Sequence, residues 1–292
     1  MTDEHSVGVL GASSFVGGCL LSSLAASGCK AIAFSRKTKA GAAASAVDWR
    51  KLPDAADGIA DQACSMAHLI SVAPIWALPE LFPQLETLGV QKIVALSSTS
   101  RYTKEQSSDA QERRLAQQFA DSEMRLQIWA EQRGIEWVIL RPTLIYGLGQ
   151  DKNISEIARL IRRLGFFPIF GKADGLRQPI YVRDVAAACV AALQNPEVRN
   201  RAFNISGAET LTYRDMVTRI FAAMDRRPRL LTVPLWAFRL ALALVRRVSF
   251  GRQWNAAIAE RMNHDLVFDH AEASQAFGFK PRGFVVSLGD LP

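Results

Sequence analysis

The residues with the clearest chemical potential sit near the start of the chain. Gly11-Ala12-Ser13-Ser14-Phe15-Val16-Gly17 lies where a short apolar run, Val7 to Leu10, hands over to a helical pattern running from Phe15 to Ala26. A glycine at the first position permits a tight turn, and one at the last lets a helix pack close against the strand. The helix amino terminus then offers free N–H groups and a positive dipole end to a pyrophosphate. The usual middle glycine is Ser14 here, so the pattern is imperfect. A second apolar run ends in Phe34-Ser35-Arg36-Lys37, with two cations where an NAD site places a carboxylate. Cations there suit the 2′-phosphate of NADP, so NADP(H) is expected to be preferred and NAD(H) is the alternative.

Metal chemistry has little support. His5, His68, His264 and His270 are scattered, and the His264/Asp265 and Asp269/His270 pairs read as a polar turn. The four cysteines, Cys19, Cys29, Cys64 and Cys189, lie far apart without a Cys-x-x-Cys pair. A reducing compartment is expected, and with it a cytoplasmic location.

The elements that would position these residues alternate. Strand-like runs Ala31–Phe34, Ala67–Val72, Lys92–Leu96 and Ile135–Leu140 are separated by helical patterns at Leu78–Leu88 and Asp109–Gln132. Such alternation predicts an α/β fold, a doubly wound parallel sheet buried on both faces. After Gly147 helical patterns dominate, at Asn153–Leu164 and Thr212–Met224, interrupted by the strand-like Gln178–Val182. This predicts a smaller, mainly helical lobe over the carboxyl ends of the strands, where such sheets bind ligands. The expected division is 1–146 with about 178–206 for the dinucleotide lobe, and 147–177 with 207–292 for the substrate lobe.

Composition bounds the function. The chain has 292 residues, 49% hydrophobic and 22% charged, enough for a sizeable core and against a disordered scaffold. The net charge of +7 is spread thinly outside Arg159–Arg163 and Arg226–Arg252, without the basic stripe and aromatics of a nucleic-acid binder. Anionic small molecules or an anionic membrane surface are the better partners. The polar, acidic start, Met1 to His5, argues against a signal peptide. Leu230–Val248 contains Pro234 and three arginines, too polar for a spanning helix. Within it, Leu235–Val248 is expected to pack in the core, with docking on an anionic membrane surface the minor alternative.

Taken together, Gly11–Gly17, Leu96-Ser97-Ser98-Thr99, Leu140-Arg141-Pro142-Thr143-Leu144-Ile145-Tyr146-Gly147, Gln178–Val185 and Phe203–Gly207 make a pattern. It resembles the extended and atypical short-chain dehydrogenases/reductases, the NAD-dependent epimerase/dehydratase group that includes sugar-nucleotide epimerases. The resemblance implies a Rossmann lobe holding a dinucleotide and a carboxy-terminal lobe closing over a small-molecule substrate, such as a nucleotide sugar. Cofactor contacts are implied for Gly11, Ser13, Ser14, Phe15, Val16, Gly17, Ser35, Arg36, Lys37, Ala73, Ser97, Arg141, Pro142 and Thr143.

The family's catalytic set is a Ser or Thr after the middle strand and a Tyr-x-x-x-Lys on the next long helix. Thr99 matches the first. The Tyr position falls on Phe119 and the Lys position on Glu123. The spacing keeps both on one helical face, but phenylalanine has no proton to give, and a carboxylate raises a neighbouring phenol pKa. Exchanging both for tyrosine and lysine is expected to restore the pair without disturbing the fold. Tyr102 with Lys104 is the substitute pair, and Tyr146 is expected to pack. The 39-kDa-type accessory subunit of respiratory complex I resembles this chain in lacking the Tyr–Lys pair. The implied function is thus an oxidoreductase or epimerase acting on a hydroxyl or carbonyl with that pair replaced. The alternative is a non-catalytic dinucleotide-binding accessory, assembly or sensor protein.

Overall fold

A computed structural model describes residues 6–35, 47–51, 66–234 and 256–292. Its centre is a seven-stranded sheet. Strands β1 (Ser6–Leu10), β2 (Lys30–Ser35), β3 (Val47–Lys51), β4 (His68–Ser71), β5 (Lys92–Leu96) and β6 (Glu136–Pro142) come first in the chain. The two-residue strand β7 (Ile145–Tyr146) follows, then β8 (Phe167–Phe170), β9 (Leu176–Arg177), β10 (Ile180–Tyr181) and β11 (Arg201–Ile205). The spatial order β11-β6-β5-β4-β1-β2-β3 is parallel at every pairing. The order reverses between β1 and β4, and ligands bind outside the carboxyl ends of strands at such a switch point.

Strands buried on both faces need apolar side chains on both, and β1 is buried throughout. On one face Val7, Val9, Val94, Val138 and Leu140 pack under helices α1 (Phe15–Ala26) and α6 (Val182–Gln194). On the other Leu10, Ile32, Leu69, Ile93 and Ile139 meet helix α4 (Ala110–Arg133) and the segment before β5. Asp109 caps α4 by accepting the Gln111 amide at 2.7 Å, and Gly134 ends it with a φ of 66°.

A separate core gathers Tyr146, helix α5 (Ile154–Leu164), β8, helix α7 (Tyr213–Ala223) and the Phe284 and Leu291 side chains. Strand β12 (Leu211–Thr212) pairs with β9, and β13 (Leu230–Val233) with β8. Helix α8 (Ala256–Arg261) belongs here, with Ala259 in the core. Helix α9 (Ala271–Phe277) does not. Its Ala273, with Phe279 beyond it, joins the core under β11 and α6. The tail of the substrate lobe drawn at 207–292 therefore returns to the sheet.

Several sequence expectations are refined. The helix expected over Leu78–Leu88 is a 3-10 helix, Ile75–Leu81, followed by the short α2 (Phe82–Thr87). Pro79 lies inside the first and Pro83 opens the second, and each removes a backbone donor. Strand-like Gln178–Val182 yields only Ile180–Tyr181, because Pro179 interrupts it and Val182 already begins α6. Strand β3 and helix α6 were not separated by the sequence pattern. Residues 235–248 lie outside the described residues. No helix among the described residues is long and apolar enough to cross a membrane.

Candidate active site

The glycine turn leaves β1 at the switch point. Gly11 adopts a φ of +79°, and a Cβ there would lie 2.5 Å from the Ala73 backbone nitrogen, just past β4. A Cβ on Gly17 would lie 2.3 Å from the Gly11 carbonyl oxygen. Both glycines thus do what the motif requires, one turning the chain and one seating α1 against the turn. Ser14, at the missing middle glycine, is exposed and accepts the Gly17 amide at 3.1 Å, capping α1. Phe15 and Val16 open the helix, where amides have no intrahelical acceptor. The turn and the dipole end fit a pyrophosphate, with Ser13 exposed beside it. Ser35 ends β2. Arg36 and Lys37, on which the expected NADP preference rests, lie outside the described residues.

The turn gives a test. Gly17→Ala drives a methyl into the Gly11 and Ala12 carbonyls, neither of which is a flexible side-chain end. Overpacking of this kind costs about 1–3 kcal/mol, and urea unfolding should show it together with weakened dinucleotide binding. Gly18→Ala, with open space around its Cβ, is the matched control and should leave binding intact.

The carboxyl ends of β5 and β6 hold the second half of the site. Beyond the strands the ladder continues, with the Ser97 amide on the Leu140 carbonyl at 2.8 Å and the Thr99 amide on the Pro142 carbonyl at 3.1 Å. Thr99 is buried, and its hydroxyl also donates to the Pro142 carbonyl. Thr143 is fixed likewise, its amide on Ile205 and its hydroxyl on the Gln178 carbonyl.

Glu123 on α4, expected to stand at the family's lysine position, is fully buried. The Ser97 hydroxyl donates to its Oε1 at 2.5 Å. Arg141 donates Nε to both oxygens at 3.1 Å and its terminal nitrogen to Oε2 at 2.6 Å, and Arg101 donates to Oε2 as well. Burial lowers the Arg141 pKa, but hydrogen bonds and charge from Glu123, then from Tyr102, outweigh it and hold the guanidinium above its ordinary value. A buried carboxylate is tolerable only when paired and hydrogen-bonded this fully. Arg141, expected among the cofactor contacts, is thus turned onto Glu123, and Ser97 with it.

That geometry corrects the expected rescue. A lysine at 123 would stand beside the guanidinium groups of Arg101 and Arg141, three cations without their carboxylate, so the fold would not be left undisturbed. Phe119 packs edge-on against Trp76, with ring centroids 5.3 Å apart.

Tyr102 is 40% exposed and lies beside this cluster. Both Arg101 and Arg141 place their guanidinium carbons 5.5 Å from its ring centroid, and Phe268 approaches from the carboxy-terminal segment at 5.9 Å. Lys104 is not its partner. Lys104 faces Glu112 at 3.6 Å, and burial, then Arg261, push its ammonium below the ordinary lysine value. Glu112 also accepts from the Ser107 hydroxyl and pairs with Arg261 of α8. Tyr146 is wholly buried against Tyr181 and Phe284, its phenol hydrogen-bonded to Val285 and pushed by burial up to about 12. It packs, as expected from the sequence.

Sequence reasoning missed Arg101. A carboxylate in a buried helical register demands cations, and Arg101 just after Thr99 and Arg141 just before Pro142 were the available ones. His270 meets the Ser206 hydroxyl at 2.6 Å. Among the described residues no group of three or more His, Cys, Asp or Glu could hold a metal.

A parallel sheet in this order, with a glycine turn at its switch point and a hydroxyl-bearing turn after β5, is a Rossmann fold. Residues 80–206 match the model of the NAD dependent epimerase/dehydratase family. The chain is 24% identical to a UDP-glucose 4-epimerase of Vibrio cholerae over 163 residues, 56% of this chain and 47% of that protein. It is 28% identical to NADH dehydrogenase [ubiquinone] 1 alpha subcomplex subunit 9 of Arabidopsis thaliana mitochondria over 100 residues, 34% of this chain and 25% of that one. These matches span less than half of either relative. In fold, the chain matches a UDP-glucuronic acid 4-epimerase from Bacillus cereus in complex with NAD. The TM-score is 0.69 at 16% identity, covering 98% of this chain and 95% of the other.

Proposed function

We propose that this protein is an NAD(P)-binding oxidoreductase of the epimerase/dehydratase kind, acting on a hydroxyl or carbonyl of a nucleotide-sugar-like substrate, with the Tyr–Lys pair replaced. The observation that carries the reading is the cluster at the ends of β5 and β6. Glu123, read as the counterpart of the family's lysine, is committed to Ser97, Arg101 and Arg141, while the exposed phenol beside it is Tyr102. A bound nicotinamide supplies hydride exchange. The chain supplies the rest. The turn and the start of α1 bind the pyrophosphate, Thr99 orients the substrate oxygen, and Tyr102 Oη gives or takes its proton. Hydride transfer followed by cofactor absorbance over a panel of nucleotide sugars tests this, with Tyr102→Phe as the decisive variant. A solved UDP-glucuronic acid 4-epimerase of the same fold, in complex with UDP-glucuronic acid and NAD, supports it.

The second reading, a non-catalytic dinucleotide-binding protein, is favoured by Phe119, which turns an apolar ring to Trp76 where the family has its acid. Dinucleotide binding without turnover on any panel member would select it.

The cofactor itself is expected to be NADP(H). Charge-assisted contacts from Arg36 and Lys37 to a 2′-phosphate are worth roughly 1.5–3 kcal/mol, about ten- to a hundredfold in affinity. Fluorescence titration of both reduced cofactors should show that preference, and Arg36→Ala should remove most of it. Equal affinities in the wild type would give the site to NAD.

A further inference from the structure

The cluster around Glu123 carries more positive than negative charge. Two guanidinium groups share one carboxylate, and Glu123 is the acid with which either is paired among the described residues. They use their donors unequally. Arg141 engages Glu123 through Nε and a terminal nitrogen and is mostly covered, whereas Arg101 gives Glu123 one terminal nitrogen and keeps a side chain 29% exposed. Arg101 lies beside the Tyr102 ring, in the turn that follows Thr99. Asn204, the cross-strand neighbour of Arg141 in β11, keeps its side-chain Oδ1 buried without a partner. A planar guanidinium fork matches a carboxylate edge to edge, and an orphaned buried acceptor calls for a hydroxyl or amide donor.

From this we infer that the substrate pocket is built for an acid. Arg101, backed by Arg141, binds a carboxylate on the reacting half of the substrate, so that the true ligand is a carboxylate-bearing sugar or hydroxy acid. Glu123 is the counter-charge that keeps both guanidinium groups in place in the free protein. The inference deepens the oxidoreductase reading and rests on it only for the position of the substrate.

Binding is the direct test, because it does not need turnover. UDP-glucuronate and UDP-glucose differ in one carboxylate, and calorimetric titration of the cofactor-loaded protein should favour the acid by about tenfold or more. Arg101→Gln should abolish most of that preference through weaker binding of the acid. The preference should shrink as salt rises. Equal affinities, or a preference untouched by Arg101→Gln, would overturn the inference. Hydride transfer on either sugar with equal affinities would leave the oxidoreductase reading standing alone. Tight, Arg101-dependent binding of the acid without hydride transfer would do the opposite, and binding of neither sugar would overturn both.

Discussion

Replacing Tyr102 by phenylalanine is expected to slow hydride transfer by about 10²–10⁴-fold, the usual cost of losing a positioned acid/base. The ring, its stacking between the arginines and Phe268 and the local backbone would stay. Dinucleotide affinity and unfolding should therefore be unchanged, and the loss should fall on kcat more than on KM. Phe119→Ala should be nearly silent in turnover, because that ring faces Trp76. If Tyr102→Phe kept full activity, the proton would have to come from another group, and the assignment of Tyr102 would fall.

The largest effect on stability is expected at Glu123. Removing one partner of a buried, hydrogen-bonded charge cluster costs about 3–5 kcal/mol, a large share of the roughly 5–15 kcal/mol that holds a domain together. Glu123→Lys should do worse than Glu123→Gln, since it adds a third cation beside Arg101 and Arg141 where glutamine can still accept a hydrogen bond. Urea unfolding of both variants and of Phe119→Tyr separates the cases. The tyrosine change should be mild, for that ring is only partly buried. A Glu123→Lys protein with wild-type stability would mean that the carboxylate is not the keystone of the cluster, and the lysine rescue would reopen.

Much of this was legible in the residues, for physical reasons. Strands β1, β2, β5 and β6 are short apolar runs because the sheet is buried on both sides, and Gly11 and Gly17 are glycines because no Cβ fits there. That Phe119 and Glu123 lie one turn apart on the same helix followed from spacing alone. The surroundings of Glu123 did not. Ser97 and Arg101 come from the turn after β5 and Arg141 from β6, and only the β5–β6 pairing brings them to one carboxylate. Lys104 misled for the same reason, its partner Glu112 being a residue of the next helix. The helix expected before β5 failed locally, at Pro79 and Pro83, and the return of α9 to the sheet depends on contacts with β11 that no periodicity announces.

The Glu112 contact reaches further than its size suggests. Lys104 ends the short turn that carries Tyr102, Glu112 begins α4, and Arg261 closes α8 in the other core, so three distant pieces of chain meet on one carboxylate. Ser108 adds a second strut to Glu260 of the same helix. The aim of the phenol is thus set jointly by both halves of the molecule. A substitution at Arg261 would be felt as a detuned active site, with the fold itself intact.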